Sequence, residues 1–398
     1  MLQDRSIALA ITGSIAAYKS ADLASKLTQA GARVDVLMTQ AATRFITPLT
    51  LRGLTGRPVF LDMFDPNTEL AEEHVEVARR SDAVVVAPAS ATTIARLAHG
   101  LAGDVVSLTV LATQAPVLIA PAMDNQMFEN AVTQANLETL RQRGYLIVGP
   151  AEGRLASGQM GLGRLVETDV LLGAIRQALG RGGDLAGRSV VVSAGGTHEA
   201  IDPVRFVGNR SSGKMGYALA EAARDRGAQV TLVTAPTALG CPFGVRLVAV
   251  ESAGDMRTAV AAACDDADAL IMAAAVADFQ PAQTEEHKIK KADKPGLTLE
   301  LEPTPDILSE LRGDFVRVGF KAESRDLLDH ARRMLEQKSL DLVVANDVTA
   351  ADAGFGADTN RVTLIAASGE AEELPLLPKY DVAHRVLDRV VALLAERG

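Results

Sequence analysis

The chain has 398 residues, 48% apolar and 23% charged, with 50 acidic against 40 basic side chains and a formal net charge of −10. This balance suits a globular protein with core enough for two ordinary domains and excludes a general nucleic-acid binder, which would carry a basic surface. Two cysteines, Cys241 and Cys264, exclude a disulfide framework, and the apolar run at 1–13 is too short for a membrane span. The expected setting is therefore the cytoplasm, with no nucleic-acid and no membrane partner.

In chain order, "IALAIT" (7–12) predicts a buried strand, and Gly13-Ser14 turns the chain into a helix over roughly 16–30. "RVDVLMT" (33–39), "AVVVAP" (83–88), "PVLIAP" (116–121) and "YLIVGP" (145–150) predict further strands, each rich in Val, Ile and Leu with turn residues beside it. Such runs fit parallel strands buried on both faces, and the helical segments between them give a doubly wound α/β sheet. An amphipathic helix over about 166–179 closes this half, and "GRGGDLAGR" (180–188) reads as a Gly-rich linker.

The pattern then restarts. Strands are predicted at "SVVVSA" (189–194), "AQVTLVTA" (228–235), "ALIMAAAVA" (269–277), "VRVGFKA" (316–322) and "LDLVVAN" (340–346), with a helix over 215–226. "RVTLIAA" (361–367) adds a late antiparallel strand. The fold class is α/β: two doubly wound parallel-sheet domains in tandem.

"GNRSSGKMG" (208–216) has the spacing of a phosphate-binding P-loop but puts Met215 where a hydroxyl should meet Mg²⁺. The preceding strand ends at Ala194, and 13 residues intervene before Gly208. It is a long glycine-bearing loop leading into a helix whose first N–H groups can hold a phosphate, with Ser211, Ser212 and Lys214 as added donors. An ordinary strand-to-helix loop is the plain alternative. A dinucleotide site is disfavoured, because G-x-G-x-x-G is missing and Thr234 is no acidic ribose partner. In "EEHKIKKADK" (285–294), Lys288, Lys290, Lys291 and Lys294 stand within seven residues. This is either a solvated charged loop or, since it follows the strand end "AAAVADF" (273–279), a cluster that neutralises a triphosphate. Asp278 at that strand end suits a ribose hydroxyl, a metal, or simply a turn.

"AGGTHEAIDPVRFVGNRSSGKMG", "AAAVADF", "KIKK", "PDIL", "GFKAES" and "LDLVVAND" resemble phosphopantothenate–cysteine ligase in order and spacing. That resemblance implies a Rossmann-like domain at 182–398 that uses CTP with Mg²⁺ to activate the carboxylate of 4′-phosphopantothenate as an acyl-cytidylate. Cysteine then displaces CMP. It assigns Asn209 and Arg205 to the acyl-cytidylate and Lys288 to developing phosphate charge. Met272, Ala273, Ala274, Asp278, Pro305, Asp306, Ile307, Leu308, Phe320 and Lys338 surround the nucleotide, with Asp278 as the metal candidate. The family usually carries a lysine four residues before Lys338; here the residue is Met334.

The first half resembles phosphopantothenoylcysteine decarboxylase, a flavodoxin-like FMN protein. "TGSIAAYK" (12–19) matches the loop that takes the FMN phosphate, so Gly13 and Ser14 are assigned to the cofactor. Thr39 in "MTQAA", with Ser90 and Thr93 in "APASATT", matches its other contacts, and His74 in "EEHVEVAR" matches the catalytic histidine. A lone histidine is otherwise a packing or surface residue. The implied reaction at 1–181 is oxidation of the cysteinyl thiol to a thioaldehyde, loss of carbon dioxide and return of the hydride, giving 4′-phosphopantetheine. The resemblance also implies homo-oligomers, trimeric through the flavin half and dimeric through the ligase half, and so a dodecamer.

Two departures stand out. "PAMDNQM" (121–127), whose Met123, Asp124 and Met127 belong to the substrate motif, has Asp124 where the family has an asparagine that meets the substrate carboxylate. An ionised Asp there repels that carboxylate unless it is protonated or paired. The flap "GRLASGQMGLGRL" (153–165) has Ser157 in place of the acid cysteine, and residues 1–240 contain no thiol. Two readings follow: an active variant with altered proton delivery, or a working ligase fused to a non-catalytic flavin-binding module.

Overall fold

The structure is a computed structural model and describes residues 1–62, 73–290, 296–323, 327–347 and 356–397. It divides into two compact units, Met1–Leu179 and Gly180–Gly398. The sequence-derived boundary of 181/182 stands two residues further along the chain.

In the first unit six parallel strands form one sheet. Ser6–Ile11 lies between Arg33–Met38 and Ala83–Ala89; Val117–Pro121 and Leu146–Ile147 continue one side, and the two-residue strand Val59–Phe60 ends the other. With that short edge strand set aside, the order is 2-1-3-4-5, the flavodoxin-like arrangement. Ser6–Ile11, Ala83–Ala89 and Val117–Pro121 are buried along their whole length, because helices cover both faces and neither can be left polar. The predicted strand at 145–150 shortens to Leu146–Ile147, and the predicted helix at 16–30 begins as a 3₁₀ turn, Ile15–Tyr18, before the α-helix Lys19–Gln29. A twisted hairpin, Ala151–Arg154 with Met160–Arg164, forms the flap.

The second unit is built on an eight-stranded sheet. Ser189–Ala194 pairs in parallel with Gln229–Thr234 on one side and Ala269–Met272 on the other. Arg246–Ala249 extends the first side; Val316–Glu323 and Leu342–Asp347 extend the second, and Val362–Ala366 joins antiparallel, as predicted. Alternation explains the run of valines. Val190 and Val192 pack toward the helices Lys214–Asp225 and Lys379–Arg397, whereas Val191 faces the helices Ala253–Ala263 and Leu327–Gln337. The strand predicted at 269–277 ends at Met272, since beyond it the backbone leaves the ladder to line the site.

The Gly-rich stretch 180–188 is not a free linker. Leu185 is fully buried in the second unit's core, its N–H donates to Arg226 O at 3.1 Å, and Asp184 pairs with Arg226 at 2.5 Å. Glycine fits there because a side chain at Gly183 would stand 2.4 Å from Arg226 O. Among the described residues no helix is long and apolar enough to cross a membrane.

Candidate active site

In the second unit the chain passes from Ser189–Ala194 to one neighbour and later returns on the other side, so the loops leaving Ser189–Ala194 and Ala269–Met272 diverge. Open α/β sheets bind ligands at such a switch point. Here the two loops are pinned at their base: Ala275 N–H donates to Gly195 O at 2.8 Å, and Asn209 Nδ2 donates to Val276 O at 3.0 Å. Above them opens a cavity of about 730 Å³.

One wall is the start of the helix Lys214–Asp225. Its N-cap, Gly213, has φ +74°, and a side chain there would also meet Thr237 Cγ2 at 2.6 Å. No side chain of Gly213 caps the first turn, and Ser212 Oγ reaches Lys214 N only at 3.5 Å. Gly216 lets the helix sit down on the sheet, since a Cβ there would stand 2.7 Å from Ser193 O. The result is a helix N-terminus turned into the cavity at the strand ends, a place for a phosphate.

The opposite wall comes from the loop at 304–308, the end of strand Val316–Glu323 and one face of the helix Leu327–Gln337. Asp306 caps the short helix Ile307–Glu310 and takes Lys338 Nζ at 2.8 Å. Burial pushes the Asp306 carboxyl up, but Lys338 and the Ser309 hydroxyl outweigh it and hold it below its usual range. Lys214 Nζ is held by Asp358 Oδ1 at 2.7 Å and Gly356 O at 2.8 Å, which lowers the Asp358 carboxyl. Lys379, buried beneath them, reaches the Ala357 and Thr359 carbonyls; burial and then Lys214 push its pKa down. Behind this wall the buried Arg317 binds the Leu308 and Ser339 carbonyls, joining the two loops that carry Asp306 and Lys338.

Of the residues singled out in the sequence, Asn209, Met272 to Ala274, Asp278, Pro305 to Leu308, Phe320 and Lys338 all line this cavity. Arg205 and Lys288 do not. Arg205 Nη2 donates to Ile289 O and to Asp202, both at 2.6 Å. Asp202, itself buried, also takes the N–H groups of Val204, Arg205 and Ile289. Burial pushes its carboxyl up, but these donors prevail and hold it at about 2. Arg205 thus clamps the segment carrying Lys288, and Lys288 itself is exposed. Lys291 and Lys294 lie outside the described residues. The sequence reading missed Lys321, His330, Arg333, Gln337 and Lys379. A signal existed for three of them: positions 330, 333, 334 and 337 have the spacing of one helix face.

In the first unit the strand order reverses between Ser6–Ile11 and Ala83–Ala89, and the predicted cofactor residues gather there. Thr12 Oγ1 donates to Pro88 O at 2.7 Å and accepts from Ser90 N–H at 3.0 Å, tying the two strand ends together. A Cβ on Gly13 would stand 2.6 Å from that of Ala41, so glycine lets the loop approach Thr39 and its neighbours. Ser14 caps the turn Ile15–Tyr18, Ser90 caps the helix Ala91–His99, and Ser90 Oγ meets Thr93 Oγ1 at 3.1 Å. This donor set is neutral, rich in hydroxyls and free of carboxylates, and it fits the phosphate and polar edge of a flavin nucleotide. His74 lies half-buried in the first turn of the helix Glu73–Arg80. That helix is anchored at its far end by Arg80 Nε, 2.7 Å from the buried Asp35, which also pairs with Arg57.

The hairpin rests on the segment 123–125. Met123 N–H donates to Gly163 O at 3.0 Å, and Leu162 N–H donates to Asn125 Oδ1 at 3.0 Å. Asp124 caps the helix Asn125–Glu129 and takes the Ser157 hydroxyl at 2.9 Å, while Met127 is exposed.

Known proteins agree with this division. A family model for flavoproteins matches residues 1–180, and one for the C-terminal domain of DNA/pantothenate metabolism flavoproteins matches residues 185–394. The chain is 46% identical to the coenzyme A biosynthesis bifunctional protein CoaBC of Bacillus subtilis, across 100% of this chain and 99% of that protein. It is 44% identical to the Vibrio vulnificus protein of the same name, across 99% of both chains, and 41% identical to that of Escherichia coli, across 100% and 99%. The chain belongs to the family of bifunctional coenzyme A biosynthesis proteins, enzymes that carry a decarboxylase and a ligase in one polypeptide.

Proposed function

We propose that the second unit joins cysteine to 4′-phosphopantothenate at the expense of CTP, and that the first unit decarboxylates the product to 4′-phosphopantetheine. The observation that carries the reading is the convergence of Asn209, Asp278, Asp306 and Lys338 on one cavity at a sheet switch point beside a helix N-terminus. Carboxylates are poor electrophiles, so ligation needs a mixed anhydride. An acyl-cytidylate formed here keeps its phosphate near the N–H groups of the helix Lys214–Asp225, which favour the anion. Asn209, braced on the Val276 carbonyl, orients the acyl group. Arg205 and Lys288 act from outside the cavity: Asp202 and Arg205 fix Ile289, and Lys288 next to it closes over the bound phosphates. Among the described residues no group of three or more His, Cys, Asp or Glu side chains could hold a metal ion. Mg²⁺ enters on the triphosphate, with Asp278 as a protein partner.

In the first unit Gly13, Ser14, Thr39, Ser90 and Thr93 hold FMN, which supplies the redox chemistry. Met123 and Met127 bound the substrate pocket, His74 serves as the base, and the hairpin covers the bound thiol from water. Asp124 is hydrogen-bonded through the Ser157 hydroxyl and the Gln126 N–H, so it stands beside the substrate carboxylate with part of its charge already engaged. The enzyme is assigned to the cytoplasm as a homo-oligomer, with a dodecamer as the expected assembly.

The test is a one-pot reaction of the full chain with 4′-phosphopantothenate, cysteine, CTP and Mg²⁺, followed by mass spectrometry. Formation of 4′-phosphopantetheine with carbon dioxide supports both halves. A stop at phosphopantothenoylcysteine leaves a ligase fused to a silent flavin module, and no product at all overturns the reading.

A further inference from the structure

We propose that Arg210 receives the terminal phosphate of the acid substrate, anchoring 4′-phosphopantothenate by the end that does not react. The inference rests on the reading of this cavity as the ligase site, and it names the residue that selects the phosphorylated acid. Ligation brings three anionic groups together: the nucleotide phosphates, the carboxylate that attacks them, and the phosphate at the far end of the acid. A strong cation on the carboxylate would blunt its attack. Affinity for the acid is better drawn from its remote phosphate, which keeps its charge throughout the reaction.

Most cations lining the cavity are already held. Lys214 pairs with Asp358 and Lys338 with Asp306, while Lys379 lies on the Ala357 and Thr359 carbonyls. Arg333 Nε donates to Asp329 O of its own helix at 3.3 Å, and Lys321 has a partner as well. Arg210 also lines the cavity, and its exposed side chain makes no hydrogen bond or ion pair with any described residue. Its backbone, by contrast, is fixed. Ser211 N–H donates to Asn209 O at 2.9 Å, which closes a γ-turn with Arg210 at its centre. The φ of Arg210 is not positive, so this is the relaxed inverse form, whose central side chain stands out from the turn. The turn sits on Gly196, where a Cβ would stand 2.6 Å from Asn209 O and 3.3 Å from Ser211 Cβ. Asn209 Nδ2 braces it further on Val276 O at 3.0 Å. A rigid base thus carries a long side chain whose N–H donors form a fork that matches a phosphate. Asn209 orients the acyl group in the reading above, so neighbouring residues of one loop meet both ends of the acid.

The experiment measures three constants in the ligase reaction of the full chain: the KM for 4′-phosphopantothenate, the KM for CTP, and the inhibition constant of pantothenate, which lacks the phosphate. Arg210→Ala should raise the first roughly tenfold or more, the weight of a charge-assisted hydrogen bond. The other two constants and kcat should stay within about twofold, as for a contact made equally in ground and transition states. Arg210→Lys should lose less, since it keeps the charge and gives up only the fork. A rise in the KM for CTP alone would place the guanidinium on the triphosphate and overturn the proposal. An equal rise for pantothenate would mark a merely structural residue and overturn it too, as would three unchanged constants. Failure of the unsubstituted chain to form phosphopantothenoylcysteine overturns the ligase reading, and this assignment with it.

Discussion

Ser157 Oγ donates to Asp124 Oδ2 at 2.9 Å, so the two residues that the resemblance singles out as departures, 33 positions apart in the chain, touch each other. A carboxylate beside a substrate carboxylate is unfavourable by itself; a hydroxyl aimed at it draws off part of that charge. Each substitution gains its sense from the other. Ser157→Ala is expected to raise the KM for phosphopantothenoylcysteine roughly threefold to tenfold, the size of a hydrogen bond of about 1 kcal/mol. Asp124→Asn added to Ser157→Ala should bring it back. Steady-state carbon dioxide release checks both, and equal KM values for all variants would break the pairing.

Gly216 sets how closely the helix Lys214–Asp225 approaches the sheet. A Cβ there would stand 2.6 Å from Ala194 Cβ and 2.7 Å from Ser193 O. Gly216→Ala should cost the second unit about 1–3 kcal/mol, as overpacked cores do. It should also lift the helix N-terminus away from the bound phosphate. Denaturant unfolding and the ligase rate report the change, while flavin binding and decarboxylation stay as they were.

Asp202 predicts a pH dependence. Its carboxyl is depressed from 3.8 to about 2 in the folded chain, so the unfolded state binds the proton more readily. The stabilisation is complete above about 3.8 and is lost as pH falls through about 2. Asp202→Asn should therefore be less stable than the parent at neutral pH, with the gap closing below pH 2. It should also slow ligation by loosening Ile289. Unfolding curves across the acid range give the first result, and a gap independent of pH would contradict it.

The two thiols should behave differently. Burial, then the nearby Asp265, pushes the Cys264 thiol up to about 12, and the residue is buried; Cys241 is exposed, with a smaller upward shift from burial. Alkylation of the native chain should label Cys241 alone, slowly, and label both after unfolding. Residues 1–240 contain no cysteine, so alkylation should leave decarboxylation intact. Mass spectrometry locates the label and carbon dioxide release reads the activity.

Much of the site was legible because its motifs are local. The strand ends before Gly13 and Ser90 announce themselves through short apolar runs followed by turn residues, and a ligand site beyond such ends follows from the layer logic alone. What escaped was long-range. Lys288 stands three residues beyond Glu285 in a charged run, and nothing local reveals that Asp202, 87 positions from Ile289, holds that run by its backbone. The linker failed for a similar reason: the glycines of 180–188 imply freedom, yet Leu185 is buried in a core assembled from segments far along the chain.

The amino-acid sequence by itself determined the two α/β layers, the strand order of types along the chain and the glycines that let loops approach phosphate, because period, turn chemistry and backbone freedom act within a few residues. Tertiary structure alone decided which charges share a cavity. Lys214 and Asp358, 144 positions apart, pair at 2.7 Å, and Met334 lies over Gly319 only because a helix packs across its strand. Electrostatics depends on distance in space, and close packing of distant segments is what sets that distance.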